Sequence, residues 1–162
     1  MKESYKVTYV LEDDSYVFIT ENQITYEIRL ESRKELLEDY PSVNLTLVEL
    51  AFAPRENQKP VADSKIATTI VEFIKEYFEN QQKVMVVIYE TLDGKHLAKS
   101  LLFNKWLTKN NDQTFMAKVN FSLRMHQGLE VKGLFLFRAD HPQHQEILEM
   151  VSAIVTDMQS LK

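Results

Sequence analysis

The amino-acid sequence predicts an α+β fold: a mostly antiparallel sheet of about seven strands with three packed helices, ordered ββββ-α-β-α-ββ-α, in one domain over residues 1–162. Three observations carry that expectation. Short strand-forming runs joined by polar corners crowd the chain between residues 5 and 52, as in an antiparallel meander. Residues 84–89 form an apolar run without polar alternation, which is how a strand covered on both faces is written. Two later segments, 63–79 and 147–161, repeat their apolar residues at three and four and therefore read as amphipathic helices.

Taken in order, residues 5–11 are β-branched or aromatic at nearly every second position and form the first predicted strand, before a turn at 12–15. Residues 16–20 give the second strand and 24–30 the third, in which Ile24, Tyr26, Ile28 and Leu30 share the inward face. The charged stretch 31–41 allows a short helical turn over 33–39 before Pro41. Residues 43–52 alternate again as a fourth strand, with Leu45, Leu47 and Glu49 on one face, and 54–60 is the most loop-like segment. Asp63 stands where a carboxylate accepts from the open N–H groups of a helix start, and Ile66, Ile70, Phe73, Ile74, Tyr77 and Phe78 cover one face of the helix it caps. After the central strand, Asp93-Gly94 makes a turn and residues 96–107 are rich in helix formers, which returns Trp106, the single tryptophan, to the fold. Strands follow at 115–123 and 129–137, the second carrying Gly133 in its interior, where a bulge or the close approach of another backbone is expected. A helix over 147–161 completes the chain.

Composition narrows the function classes. With 0 Cys there is neither a disulfide framework nor a thiol nucleophile, and the charged first residues and lack of any long apolar stretch argue for a soluble, cytoplasmic protein away from membranes. A net charge of -5 argues against a nucleic-acid partner, although residues 83–144 hold 9 Lys+Arg against 5 Asp+Glu together with all 4 His. The 3 Gly cannot assemble a phosphate-cradling loop, and no serine has the Gly-x-Ser-x-Gly setting of a nucleophile elbow. No cofactor is expected.

Two clusters can bear chemistry. The corner after the central strand brings Glu90, Asp93, Lys95 and His96 to a strand end, where ligands commonly bind, and Lys99 and Trp106 follow on the next helix. As a simple hydrated turn, the same corner needs Asp93-Gly94 only for backbone conformation. In the second cluster, Asp140, His141 and His144 have the spacing of two or three metal ligands at a helix start, while the plainer reading has Asp140 or His141 capping the last helix and His144 facing water.

Ile88-Tyr89-x-Thr91-x-Asp93-Gly94 followed by Phe103-Asn104-Lys105-Trp106 resembles a family of small uncharacterised Bacteroidetes proteins. The resemblance extends through Tyr16-x-Phe18-x-Thr20, Tyr26-x-Ile28 and Lys65-Ile66-x-x-Thr69-Ile70, and so over most of the chain. It implies no activity and transfers no catalytic role. The functional expectation is a non-enzymatic binding or interaction domain that uses Glu90, Asp93, Lys95, His96, Lys99 and Trp106 together with the adjacent strand ends and the 54–60 loop, with a protein, a small ligand or a second copy of the chain as partner. The alternative is a metal-assisted hydrolase built on Glu90, Asp93 and His96 with Asp140, His141 and His144.

Overall fold

The structure is a computed structural model that describes residues 3–40, 45–55, 57–79, 83–89, 96–110, 116–124 and 130–160. Seven strands form one sheet: β1 (Thr8–Val10), β2 (Ser15–Ile19), β3 (Thr25–Ser32), β4 (Thr46–Pro54), β5 (Lys83–Tyr89), β6 (Met116–Arg124) and β7 (Glu130–Arg138), in the spatial order β1-β2-β3-β4-β5-β7-β6. Three α-helices join them: α1 (Ser64–Tyr77), α2 (His96–Asn110) and α3 (His144–Ser160). Every neighbouring pair is antiparallel except β4 and β5, which run parallel because α1 carries the chain from one to the other. The predicted order of strands and helices holds.

Period-2 alternation sorts the side chains onto two faces. On one face Phe18, Tyr26, Ile28, Leu50, Met85, Val87 and Leu136 pack with Ile66, Ile70 and Ile74 of α1, with Phe78 just past its end, and with Phe103 and Leu107 of α2. On the other, Leu47, Val84, Val86, Phe135 and Phe137 pack under Ile147, Met150, Val151 and Ile154 of α3. Strand β5 is thereby covered on both sides, which is why its sequence does not alternate. Helix α1 begins as expected: the Asp63 carboxylate accepts from Lys65 N–H at 2.9 Å, and the Tyr5 hydroxyl donates to the same side chain.

Some boundaries shift. The first strand shrinks to Thr8–Val10, because Leu11–Asp13 close a 3-10 turn and Tyr5 instead lies under Phe18 with ring centroids 5.8 Å apart. The charged stretch forms a 3-10 turn at Lys34–Leu37, and Arg33 beside it holds Glu49 at 3.0 Å. Strand β4 runs two residues beyond the expected end, pairing Pro54 with Tyr26. Gly133 is no bulge, since Ile88 and Phe121 face it in unbroken register; it answers a close approach, a Cβ there falling 2.5 Å from the Val87 carbonyl oxygen and against the Phe121 ring.

Candidate functional site

The sheet is not continuous along its length. Strands β4 and β5 pair only from Thr46↔Lys83 to Glu49↔Val86. Beyond that point β4 follows β3 out to Pro54, while β5 follows β7 out to Tyr89, and among the described residues no ladder joins 50–54 to 87–89. The two strands separate like the legs of a fork, and a groove of about 920 Å³ occupies the opening. That volume lies within the range of pockets for small ligands.

Each wall follows from the strand period. On the helix side, Tyr26 and Phe52 stand on one leg and Tyr89 on the other, and α2 closes the space with Phe103 and Trp106. The Phe103 ring lies 5.9 Å from Phe52 and 6.2 Å from Tyr89, so it touches both legs, and Trp106 lies 5.9 Å from Phe52. On the opposite side Ala51 and Ala53 leave the floor low, and Glu27 stands between two guanidinium groups, Arg55 at 2.9 Å and Arg29 at 3.3 Å. Those contacts hold the Glu27 carboxyl below its ordinary range, the hydrogen bond from Arg55 being the largest cause. Two apolar side chains form an exposed lip, Ile88 at 40% and Leu102 at 48%. Burial pushes the Tyr89 phenol above the usual tyrosine range, with Ser100 acting the other way. With Arg29, Arg55 and Lys99 against Glu27 among its charged residues, the lining is aromatic and net positive.

Of the predicted binding residues, Lys99 and Trp106 line this groove, the first half-buried one turn ahead of Phe103. His96 is the first residue of α2. Glu90, Asp93 and Lys95 lie outside the described residues. Trp106 also borders a smaller hollow of about 400 Å³ lined by Glu3, Lys65, Thr68 and Lys105, in which Lys65 is already engaged by Glu3 at 3.1 Å and by Glu21 at 2.5 Å.

The second predicted cluster is built differently from a metal centre. Asp140 grips Arg138 through two 2.8 Å hydrogen bonds, which hold its carboxyl below the usual aspartate range. His141 is buried and its Nδ1 accepts from Gln143 N–H at 2.9 Å, within the turn that leads into α3. His144 does not face water: it is half-buried, its Nδ1 lies 2.9 Å from the Ala139 carbonyl oxygen and its ring stands edge-on to Phe137 at 5.0 Å. No group of three or more His, Cys, Asp or Glu able to hold a metal occurs among the described residues. The pairing Val84↔Phe137 puts this cluster at one end of β5, whereas the chain leaves toward Glu90 from Tyr89 at the other, five residue steps or roughly 17 Å away.

Sequence reading placed the 54–60 loop on the binding surface, and Pro54, Arg55 and Pro60 do line the groove, but it missed Tyr26, Glu27, Arg29 and Phe52. Each of these four sits in a segment written as an ordinary strand, and the fork that joins them is a property of strand pairing. The one available signal was Phe52 between Ala51 and Ala53, a large aromatic flanked by two residues too small to cover the opposite face.

No helix among the described residues is long and apolar enough to cross a membrane. No curated protein and no solved structure is matched by the chain. A family model does match, over residues 62–153, from the start of α1 through β5, α2, β6 and β7 and into α3; the chain belongs to this family of unknown function, DUF6169.

Proposed function

We propose that this protein is a non-enzymatic binding domain whose site is the groove in the fork of β4 and β5. The carrying observation is the end of pairing at Glu49↔Val86, which leaves an aromatic, net-positive opening of about 920 Å³ beside two exposed apolar side chains. The residues Glu90, Asp93, Lys95 and His96, which follow Tyr89 in the sequence, belong to the same proposal as part of the binding surface. Self-association is one form of this function: β6 ends the sheet, and its outer edge is a nine-residue strand.

Trp106 makes the reading measurable, because the only tryptophan of the chain is a wall of the groove. Native mass spectrometry of freshly purified protein reports a retained molecule or a second subunit, and titration with 8-anilinonaphthalene-1-sulfonate, an anionic aromatic probe, is followed through Trp106 emission. The expected result is a saturable change that weakens in Leu102→Ser and in Lys99→Ala. A probe that binds without altering Trp106 emission, or equally well to both variants, places binding elsewhere and ends the proposal.

A further inference from the structure

We infer that the groove takes an extended segment of a partner protein as an added strand, with apolar side chains toward α2 and acidic side chains toward Arg29 and Arg55; this rests on the binding reading above. Two independent features lead there. The first is the backbone. Beyond Glu49↔Val86, residues 50–54 of β4 and 87–89 of β5 lie in strands whose outer sides pair with β3 and β7, and whose facing sides share no ladder among the described residues. An inserted strand meets main-chain donors and acceptors over residues 50–54 on one side, roughly 17 Å, and over residues 87–89 on the other, which is how strand addition gains affinity without depending on side chains.

The second feature is the chemistry of the two sides. Successive side chains of a strand point to opposite faces, so an inserted segment presents one set to α2 and the other to the Ala51 and Ala53 side. The α2 side offers the partly exposed rings of Phe52 and Trp106 over the buried Phe103, an aromatic surface suited to leucine, valine or phenylalanine. The alanine side offers two guanidinium groups sharing the single carboxylate of Glu27, with Arg29 and Arg55 both about half exposed, and an incoming carboxylate completes that pairing. Low alanines leave space for the incoming side chains. The fitting partner is therefore a segment that alternates apolar and acidic residues, and the charge pattern disfavours a basic one.

The probe is a fluorescein-labelled peptide of about eight residues, the span of an added strand with short overhangs, alternating leucine with glutamate. It is measured by anisotropy and by Trp106 emission, beside a lysine-for-glutamate version and a version N-methylated at alternate residues, which keeps every side chain and removes the edge donors. Expected results are binding of the acidic peptide, a loss of about tenfold or more for each altered peptide, and a similar loss in Arg29→Glu/Arg55→Glu, whose circular dichroism stays that of the parent because both side chains are surface groups. Equal binding of the N-methylated peptide overturns strand addition, and equal binding of the lysine peptide overturns the charge assignment. Anilinonaphthalene sulfonate run in parallel separates the two levels of the argument. If the dye perturbs Trp106 and no peptide binds, the inserted strand is wrong while the groove remains a site; if neither acts, both fall.

Discussion

Substituting Gly133 by alanine tests the packing that keeps β5 in place beside the groove. A Cβ on this residue lies 2.5 Å from the Val87 carbonyl oxygen and 2.8 Å from Phe121 Cε1, closer than real Cβ contacts stand. The aromatic obstruction is one side chain that can swing, although its neighbour Phe135 at 5.4 Å limits the movement. The carbonyl is backbone of a strand paired on this side through Val87↔Leu134 and Ile88↔Gly133, and it yields only if β5 moves. Overpacking a filled site costs about 1–3 kcal/mol, and the lower chain entropy of alanine returns about 0.5–1 kcal/mol. Because one of the two obstructions is main chain, the upper half of the range applies, and the net loss is about 2 kcal/mol. At about 2–4 °C per kcal/mol for a chain of this size, the melting temperature falls by about 4–8 °C. Urea unfolding followed by Trp106 emission reads the loss as a lower midpoint at unchanged slope. Combining Gly133→Ala with Phe121→Leu should recover part of the loss and leave the carbonyl conflict, a coupling of about 0.5 kcal/mol or more. A Gly133→Ala protein whose midpoint equals the parent's would refute the reasoning, since it would mean that β5 yields freely at this point.

Other changes have expected outcomes of their own. Asp63→Ala removes both the cap on Lys65 N–H and the acceptor of the Tyr5 hydroxyl, so a loss of about 1 kcal/mol or somewhat more is expected in urea, with Asp63→Asn milder; equal loss in both variants would assign the effect to charge rather than capping. The Tyr40 hydroxyl donates to Asp157 at 2.7 Å, and that bond, with burial, pushes its pKa up to about 12. A raised pKa favours the protonated phenol in the folded state, so this contribution is intact below about pH 10 and is lost as pH climbs through about 12. Tyr40→Phe should flatten that alkaline loss in a melting series, and an unchanged alkaline limb would remove the Asp157 contact from the account. Glu27 and Asp140 behave oppositely: arginine contacts depress both carboxyls, so their contribution is present above the ordinary carboxylate range and fades as acid titrates them. Glu27→Gln should lower stability near neutrality and flatten the acid limb; an acid limb as steep as the parent's counts against it.

How much was legible depended on what each signal reports. The α1 stripe from Ile66 to Phe78 and its Asp63 cap are local patterns, and burial against the sheet leaves little choice in their outcome. The unbroken apolar run of β5 announced its two covered faces, and Gly133 announced a close approach because no side chain fits between Phe121 and the Val87 carbonyl. Trp106 was also readable, as a large aromatic on a helix that must pack on something. What could not be read is where two strands stop pairing. Leu50, Phe52, Val87 and Tyr89 have the same sequence signature whether β4 and β5 continue together or part after Glu49, since each meets the period-2 pattern either way. The residues near α3 had two readings in the sequence, ligation or a plain turn at the helix start, and local contacts separate them: His141 accepts from Gln143 N–H and Asp140 pairs with Arg138, both partners within two positions.

The fork also explains why the groove needs more of the chain than the segment the family model matches. Residues 62–153 supply β5 and α2, one leg and the roof, while Phe52, Ala51, Ala53 and the Glu27 ion pairs come from β3 and β4, before that segment. Without β4, Leu47, Val48 and Leu50 would leave the two cores, and β5 would present an open parallel edge over residues 83–86, where it now pairs. The matched segment therefore holds half of the site and an edge that demands a partner strand. In this chain β4 meets that demand over four residues and then turns away with β3, and the same unmet edge over Val87–Tyr89 is what an incoming segment would complete. Strand addition at the groove is thus a continuation of the contact that already holds β4 against β5, with the aromatic wall of α2 and the Arg29 and Arg55 pair determining which segment fits.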